Sequence, residues 1–386
     1  MSVSYWQDKG ADAEVVVVDV VVIGAGIAGA SVAYWLKDSG LTVAVVDRGD
    51  CCAGASGRNA GFVTCGSVEH FSRQVKHLGI DKAVDLWRMS ERNIDLIQSE
   101  LVENGVDCDF VRRGTYSLAG SDHELAELHE SARMMRELGI TVEIVDERDI
   151  HRDLSARGFS GGVLYVDDGE VHPEKLVRSI LGRSGAAFFP YHEVFSIIQH
   201  KESVTVHTRL RQFSSQLVVL ATNGYSAQVE PYFVDKIYPT RGQIIVTAPV
   251  SPFLRAPCYA NFVLDYFRQL PDGRVLIGGF RQLAKESETG TADEINPVIH
   301  EALERFLQTH FEILANVSID YRWSGTMGFS ADGIPMIGSL PHKPSVYFVG
   351  GFTGHGMGWG FYAGQMVRDL ILEGKVPPHL SARRFR

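Results

Sequence analysis

The sequence has little cysteine, and no pair of its cysteines shows the spacing of a zinc site. Five are scattered over 386 residues, too few and too dispersed for a disulfide framework: Cys51, Cys52, Cys65, Cys108 and Cys258. We therefore expect a protein of a reducing compartment, with no metal, and predict a cytoplasmic location. The adjacent Cys51 and Cys52 are interpreted as two small packing side chains rather than a redox pair or an attachment point, because a thiolate needs a special environment to react.

Long apolar runs and excess positive charge are also lacking. The longest apolar run, Val15–Ile23, is interrupted by Asp19 and is far shorter than the roughly 20 residues that a membrane-spanning helix needs. The first residues show no basic segment followed by an apolar one, so we expect no signal peptide. Lys and Arg number 37 against 47 Asp and Glu, a formal charge of −10. Neither nucleic acid nor an anionic membrane is expected as a partner.

Glycine, by contrast, is abundant, and its first cluster lies between a predicted strand and a predicted helix. The chain has 39 glycines and is long enough for two or three domains of about 150 residues. Asp19–Ile23 is predicted to be a buried parallel strand, Gly24–Gly29 reads G-A-G-I-A-G, and Ala30–Lys37 has a helical pattern. A second strand, Leu41–Val46, ends at Asp47. This order is the full fingerprint of a dinucleotide-binding βαβ unit.

Each part of this unit has a physical role. Gly24 makes the tight turn, Gly26 lets the backbone approach a pyrophosphate, and Gly29 lets the helix pack on the strand. The helix N-terminus offers unpaired N–H groups and a positive dipole end to the phosphates. Asp47 lies where an acid accepts a hydrogen bond from ribose hydroxyls. The neighbouring candidates for cofactor contact are Ile27, Ala28 and Arg48. The unit alone does not separate NAD from FAD.

Two more glycine-rich stretches favour a flavin. One follows the second strand, where an isoalloxazine would have to be clasped beyond the pyrophosphate, although a flexible surface loop is the alternative reading. Its candidate contacts are Ser56, Arg58, Asn59, Ala60 and Gly61. The other follows a predicted strand, Val346–Val349, and precedes a predicted helix, Phe361–Leu372. Its candidate contacts are Gly354, His355, Gly356, Met357 and Gly358. A helix N-terminus there would face the pyrimidine edge of a flavin.

Together these motifs resemble the FAD-dependent amine and amino-acid oxidases, the D-amino-acid oxidase-like (DAO) family. In motif the chain is most similar to γ-glutamylputrescine oxidase-like and glycine or sarcosine oxidase-like enzymes. The resemblance rests on D-V-V-V-I-G-A-G-I-A-G (Asp19–Gly29), S-G-R-N-A-G (Ser56–Gly61), V-H-P-E-K-L (Val171–Leu176), L-A-T-N-G-Y (Leu220–Tyr225), R-G-Q (Arg241–Gln243), L-P-D-G-R-V-L-I-G-G (Leu270–Gly279), D-G-I-P-M-I-G (Asp332–Gly338) and G-F-T-G-H-G (Gly351–Gly356). These motifs span about residues 19–372, in family order.

The resemblance implies an α/β, two-domain (α+β) fold with interleaved domains. A Rossmann-like FAD-binding domain of the glutathione-reductase type would collect residues 15–85, 150–228 and 322–386. A substrate domain with a mixed or antiparallel sheet would collect residues 86–149 and 229–321. The residue pattern agrees, with amphipathic helices predicted at Leu86–Leu101, Glu124–Leu138 and Pro297–Leu314. Arg268–Ile277 is predicted to be a hairpin with Pro271-Asp272-Gly273 at its turn.

The implied reaction is oxidation of a C–N single bond of an amine or amino acid to an imine, with reoxidation by O2 to give H2O2. The sarcosine oxidase pattern has a flavin-linking cysteine near Trp323–Gly328, and this chain has none there, so FAD is expected to be non-covalent. The resemblance also implies cofactor contacts at Val194, Ala221, Thr222 and Gly325. For Val194, an ordinary strand residue is the equal alternative.

Charge in the substrate pocket departs from the family pattern. D-amino-acid and glycine oxidases carry a carboxylate-binding arginine near Met327, and sarcosine oxidase carries a lysine near Gly358, but both positions are uncharged here. An unpaired carboxylate is costly in a dry pocket. An amine, or an amino acid held at its far end, is therefore favoured, unless Arg58 or Arg281 supplies the cation. Arg58 has two readings, a contact to flavin or phosphate charge and a surface salt bridge.

The catalytic candidates are His355 and Tyr266, although a structural turn histidine and a core tyrosine are alternative readings. Trp359 and Phe361 are either pocket walls or core residues. No lysine lies in Val275–Phe280, where sarcosine oxidase has one that activates oxygen, so O2 or another electron acceptor remains open. The alternatives are an FAD-dependent dehydrogenase and a flavin-holding subunit that passes electrons to a partner. An aromatic hydroxylase would need a mid-chain Asp-Gly segment and a late Gly-Asp-Ala-Ala-type loop, and the sequence has neither.

Overall fold

The computed structural model describes residues 14–66 and 69–385. Within these ranges the chain forms a mixed α/β fold, as predicted. The α-helices are α1 (Ile27–Leu36), α2 (Ala55–Arg58), α3 (Phe71–Leu78), α4 (Ile80–Leu96), α5 (Asp122–Glu137), α6 (Glu147–Leu154), α7 (Pro173–Gly182), α8 (Ser226–Val229), α9 (Pro297–His310) and α10 (Gly356–Glu373). A π-helical segment, Ile97–Val102, continues α4. None of the helices in the described ranges combines the length and hydropathy of a membrane span.

A six-stranded, mostly parallel sheet carries the glycine loops. Its strands, in spatial order, are β10 (Ala187–Phe189), β3 (Val43–Val46), β2 (Val20–Ile23), β14 (Leu217–Leu220), β21 (Lys343–Gly350) and β20 (Met336–Leu340). All neighbours pair in parallel except β20, which is antiparallel to β21. Every residue of β2 and β3 is buried, as their unbroken apolar sequence predicts for strands covered on both faces.

The other strands form three further sheets. The largest has eight strands in the order β19 (Ile319–Ser330), β15 (Ile237–Thr247), β18 (Val275–Gly278), β17 (Asp265–Gln269), β16 (Cys258–Ala260), β6 (Thr115–Ala119), β8 (Gly161–Tyr165) and β7 (Val142–Asp146). A four-stranded sheet contains β1 (Val15–Val17), β13 (Gln212–Ser215), β12 (Val204–Thr208) and β11 (Val194–Gln199). A small three-stranded sheet contains β4 (Phe62–Val63), β9 (Gly169–Glu170) and β5 (Val111–Arg112).

The helices α1 and α10, which follow the first and third glycine loops, pack directly on each other. A side chain at Gly364 of α10 would place its Cβ 2.5 Å from the Ser31 side chain of α1, and one at Gly360 would lie 2.7 Å from Ile27. Such distances are far inside van der Waals contact, so these glycines let the helix backbones approach. The end of α10 is closed by Gly374, which has a left-handed φ of +70°.

Helix boundaries differ most from the sequence prediction where glycine lies inside a helix. The C-terminal helix begins at Gly356, five residues before the predicted Phe361, so part of the predicted loop is helical. Likewise, α1 begins at Ile27 rather than Ala30, and Ala55–Arg58 forms a short helix within the second glycine loop. Glycine is a poor helix former, but close packing favours it at these positions: a Cβ at Gly29 would meet the carbonyl oxygen of Gly24, and one at Gly358 would meet that of Thr64.

The interleaved domain boundaries stay a prediction. Among the described residues, the six- and four-stranded sheets are built from segments assigned to the cofactor domain. The eight-stranded sheet combines six strands of the predicted substrate segments with β8 and β19, and β8 and most of β19 lie in segments assigned to the cofactor domain. The predicted hairpin is present as β17 and β18, with its turn at Leu270–Arg274.

Candidate functional site

A cavity of about 1020 Å³ opens where the parallel strands β2, β3, β14 and β21 reach their carboxyl ends. This edge of an open α/β sheet is the usual place for a ligand. The sequence-predicted site residues on the cavity wall are Gly24, Gly26, Ile27, Ala28, Asp47, Arg48, Ser56, Arg58, Asn59, Ala60, Val194, Ala221, Thr222, Gly325, Gly354, His355, Gly356, Met357, Gly358 and Tyr266. Segments more than 300 residues apart therefore meet at one cavity.

Two predicted contacts, Gly29 and Gly61, lie behind the wall instead. A Cβ at Gly29 would be 1.8 Å from the carbonyl oxygen of Gly24, so Gly29 serves the close packing of α1 on β2. A Cβ at Gly61 would meet the carbonyl oxygen of Val171 at 2.3 Å and the guanidinium of Arg268 at 2.8 Å. Both glycines allow close packing, and their contact with a cofactor stays a prediction.

The first glycine loop is held in shape by Asp47. One carboxylate oxygen accepts a hydrogen bond from the N–H of Ala25 at 2.7 Å, and the other accepts one from the N–H of Gly49 at 2.8 Å. Gly24 has a left-handed φ of +112°, and a Cβ there would be 2.6 Å from the carbonyl oxygen of Ala221. Burial raises the pKa of Asp47 against the lowering effect of these two hydrogen bonds. The carboxylate therefore fixes the loop and also faces the cavity.

The second glycine loop closes onto the N-terminus of α1. The Ser56 hydroxyl accepts a hydrogen bond from the N–H of Ile27 at 2.8 Å. A Cβ at Gly26 would lie 2.8 Å from the same hydroxyl oxygen. Within the described ranges, no protein acceptor pairs with the N–H groups of Gly26 and Ala28, both of which line the cavity. Unpaired N–H groups at a helix N-terminus are suited to bind a phosphate.

Arg58 and Arg48 are both on the cavity wall but differ in their partners. The Arg58 guanidinium donates to the carbonyl oxygen of Ser324 at 2.8 Å and forms a salt bridge with Asp293 at 2.9 Å. Arg58 therefore forms a salt bridge, as one of its two interpretations predicts, and it also lines the cavity. Arg48 lies with its guanidinium 3.9 Å from the ring centroid of Tyr225.

The third glycine loop places the N-terminus of α10 at the cavity. His355 immediately precedes this 18-residue helix, and its ring is buried. Burial lowers the pKa of His355 to about 4, so the imidazole is neutral near pH 7. No partner for its Nδ1 is found in the described part of the chain. A Cβ at Gly358 would lie 2.4 Å from the carbonyl oxygen of Thr64, so α10 abuts the strand β4 region without a side chain between them.

An aromatic wall faces this loop, and the sequence analysis found only one of its members. Tyr266 pairs across the sheet with Tyr259, and the Phe62 ring lies 5.1 Å from Tyr259 and 6.0 Å from Tyr266 between centroids. The Tyr259 hydroxyl is 3.1 Å from the hydroxyl of Thr64. The register of β16 and β17 brings Tyr259 beside Tyr266, and Phe62 reaches both from β4 in the three-stranded sheet, so no local sequence pattern predicts either residue.

Two positively charged side chains line the same part of the cavity. Arg281, Gln282 and Lys285 line the cavity just beyond β18. The family resemblance points to Val275–Phe280 for a lysine, and Lys285 lies five residues beyond that segment. Arg281 and Lys285 thus add two cations to this part of the wall in spite of the uncharged side chains at Met327 and Gly358.

Trp359 and Phe361 are core residues, not pocket walls. The indole N–H of Trp359 donates to the carbonyl oxygen of Gly66 at 3.3 Å, and the Phe361 ring packs against Tyr34 and Trp35 at about 5 Å. Of the two readings of Trp359, pocket wall and core residue, the structure has the core residue, because its side chain is buried in the hydrophobic core and does not line the cavity.

Known proteins resemble this chain along almost its full length. A family model described as FAD dependent oxidoreductase (DAO) matches residues 19–370. Gamma-glutamylputrescine oxidoreductase of Escherichia coli K12 is 29% identical over 377 residues, covering 93% of this chain and 84% of that protein. Glycine oxidase of Geobacillus kaustophilus is 25% identical over 363 residues, covering 92% of each chain. The crystal structure of glycine oxidase from that organism superposes with a TM-score of 0.82 at 20% identity, covering 95% of this chain and 98% of the other. At this identity the structural likeness establishes the fold.

Proposed function

Because this chain belongs to the FAD dependent oxidoreductase (DAO) family, we propose that it binds FAD non-covalently and oxidises the C–N bond of an amine or amino acid to an imine, with O2 as electron acceptor. The observation that carries the proposal is the single cavity at which all three glycine loops meet. Gamma-glutamylputrescine oxidoreductase and glycine oxidase, by their names, act on an amine and on an amino acid.

The residues of the cavity fit FAD. Unpaired N–H groups at the start of α1 are suited to the pyrophosphate, and a carboxylate at Asp47 is suited to ribose hydroxyls. A side chain at Gly26 would fill the space between this helix and Ser56. The volume of about 1020 Å³ is at the upper end of ligand pockets, as expected for a dinucleotide with room for a small substrate.

Non-covalent attachment is supported by the positions of the cysteines. No cysteine is on the wall of this cavity in the described ranges. All five cysteines are free and buried, which also supports a reducing compartment, and we propose the cytoplasm as the location. Subcellular fractionation checks the location, and denaturation of the purified protein checks the attachment.

When bound, FAD would supply the acceptor for the hydride, or its equivalent, that leaves the carbon next to nitrogen. The chain's own residues exclude water and orient the substrate. Phe62, Tyr259 and Tyr266 form an apolar wall that holds the reacting carbon in a dry pocket. His355 is a neutral imidazole, because burial lowers its pKa to about 4, so it offers a hydrogen bond and not a charge. A neutral amine needs no strong protein base for this reaction.

Oxygen as the acceptor is supported by the charge at the substrate end of the cavity. Arg281 and Lys285 place positive charge there, and positive charge favours electron transfer to oxygen because the transfer creates negative charge. Glycine oxidase, a relative of this chain, is named as an oxidase. The competing acceptor is a partner protein or a small redox carrier.

The proposal is tested by mixing the purified flavoprotein with a panel of amines and amino acids without oxygen and recording the flavin absorption. At least one compound should bleach the flavin, and admitting air should restore the colour and release one peroxide per turnover. Bleaching without peroxide, and with colour restored by an artificial acceptor instead, would show a dehydrogenase. A flavin that no amine or amino acid bleaches would overturn the proposed reaction.

A further inference from the structure

Arg281 brings a positive charge to the cavity without a matching carboxylate. It opens the short helical turn Arg281–Leu283 that follows β18, and Phe280 before it has a left-handed φ of +55°. Its guanidinium lies 4.6 Å from the ring centroid of Phe329. The acid that acts on it electrostatically, Glu288, is hydrogen-bonded to Arg241, Gln243 and Asn296 instead.

A cation in this position is costly unless an anion joins it. Partial burial lowers the pKa of Arg281, because taking the guanidinium out of water disfavours its charged form. Within the described ranges its guanidinium forms no salt bridge and no hydrogen bond, and stacking on Phe329 satisfies none of its N–H groups. The five N–H donors of a guanidinium match two oxygens of a carboxylate.

The guanidinium lies at the end of the cavity where a carboxylate-binding arginine was sought in the sequence. Gly325, Met327 and Phe329 alternate along β19, point to one face and line the cavity. Met327 and Phe329 are two residues apart, which is about 6–7 Å along a strand. Arg281, stacked on Phe329, therefore reaches from the end of β18 to the neighbourhood of Met327.

Resting on the proposed function, we propose that Arg281 binds a carboxylate of the substrate, so that the substrates of this cavity are amines that also carry a carboxylate. The cation comes from the loop after β18 rather than from β19 or α10. The carboxylate is either on the reacting carbon or at the far end of the molecule, and substrates of different length distinguish these two placements.

Other cations on the wall are less suited to this role. Arg58 is held by Asp293 and Ser324. Arg48 is exposed and belongs to the loop after β3, next to the proposed ribose contact. Lys285 is exposed to solvent, where a charge attracts an anion into the cavity but binds it weakly.

The test compares matched substrates on the holoenzyme and its variants. Each alkylamine is paired with an analogue that carries a carboxylate on the reacting carbon and with one that carries it at the chain end. Flavin bleaching without oxygen gives the apparent Kd and the limiting rate for each compound. The variants are Arg281→Gln, Arg281→Lys and the control Arg133→Gln, which removes an exposed arginine on α5 that pairs with Glu137.

A second readout is independent of turnover. Butanoate and longer alkyl carboxylates have no amine to oxidise, and their binding is followed by the change in the flavin spectrum and by calorimetry, with the corresponding amides as uncharged controls. This readout still reports on Arg281 if no amine reduces the flavin, so failure of the proposed function and failure of this inference are distinguishable.

We expect carboxylated substrates and alkyl carboxylates to bind more tightly than their uncharged partners in the wild type. Arg281→Gln should raise their apparent Kd about ten- to a hundredfold, the range for charge-assisted hydrogen bonds, and Arg281→Lys should raise it less. In Arg281→Gln the apparent Kd of the uncharged amines should change less than about twofold. Arg133→Gln should leave the apparent Kd of every compound unchanged. Equal losses for charged and uncharged compounds, or reduced FAD content with an unchanged carboxylate preference, would overturn the inference.

Discussion

At the residue scale, Asp47 both fixes the shape of the first glycine loop and faces the cavity. Its two oxygens accept hydrogen bonds from the N–H groups of Ala25 and Gly49. Asp47→Ala removes both acceptors and the proposed ribose contact, so FAD affinity should fall about ten- to a hundredfold. Asp47→Asn keeps one acceptor oxygen and should lower the affinity for FAD less than Asp47→Ala does. Titration of apoprotein with FAD by flavin fluorescence measures both, and an unchanged Kd in Asp47→Ala would show that this acid does not face the ribose.

Asp168 is the acid whose ionisation the fold opposes most clearly. It is buried, and burial raises its pKa to about 7, against about 4 in an unfolded chain. It accepts a hydrogen bond from the N–H of Cys65 at 2.8 Å. With Tyr259 and His355 it lines a second cavity of about 20 Å³, which has room for about one water molecule.

The raised pKa predicts a direction for stability against pH. Between about pH 4 and pH 7 the folded chain keeps the proton that the unfolded chain loses, so the contribution of Asp168 to the free energy of unfolding falls as pH rises through this window. Asp168→Asn should therefore show a smaller fall than the wild type in urea unfolding across these pH values. The exposed Glu202→Gln, which removes a carboxylate that is not among the causes of the Asp168 shift, is the control and should follow the wild type. Parallel curves for wild type and Asp168→Asn would contradict the prediction.

The contact of α1 with α10 is the element-scale feature that shapes the cavity, because both helices present their N-termini to it. Gly364→Ala would force a methyl group to 2.5 Å from Ser31 and push the helices apart. We expect a loss of about 1–3 kcal/mol in the free energy of unfolding, together with weaker FAD binding.

The matched control for this change is Gly182→Ala. Gly182 is also a helical residue, but a Cβ there meets nothing within 4 Å, so alanine should be neutral or slightly stabilising. Thermal unfolding and FAD titration of both variants compare the two positions directly. A Gly364→Ala variant as stable as Gly182→Ala would show that the helices adjust without cost.

A site residue could be predicted from the sequence where the contacts that place it join residues that are close together along the chain. The loop Gly24–Gly29 and Asp47 belong to one short unit whose glycine positions are set by the turn, so they were predictable. Tyr259 becomes a wall residue only through the pairing of β16 with β17, and Phe62 joins it from β4, which pairs with β9 in another sheet. No local pattern encodes either contact. Arg281 was found as an alternative cation, but its stacking on Phe329 depends on strands about 40 residues apart.

The start of α10 shows the same limit for an element boundary. Glycines at Gly356, Gly358 and Gly360 predict a loop by intrinsic propensity, whereas the structure has a helix from Gly356. A Cβ at Gly358 would meet Thr64, and one at Gly360 would meet Ile27. Tertiary packing therefore decides this boundary, and it lies outside what a single sequence shows.

At the scale of the whole molecule, the cavity is assembled from segments near both ends of the chain and from the eight-stranded sheet between them. A ligand that contacts all of them stabilises the folded chain as a unit. Removing FAD should therefore lower the thermal midpoint, and FAD at about a hundred times its Kd should restore about 2.7 kcal/mol. Calorimetry of apo- and holoprotein checks this, and equal midpoints with and without saturating FAD would contradict it.

The central claim is that this cavity holds one non-covalent FAD, and the most direct measurement is the flavin content of the purified protein after denaturation. We predict a yellow protein from which acid or heat releases about one FAD per chain into the supernatant, leaving a colourless pellet. A colourless protein, a different nucleotide in the supernatant, or flavin that stays with the denatured chain would contradict the account.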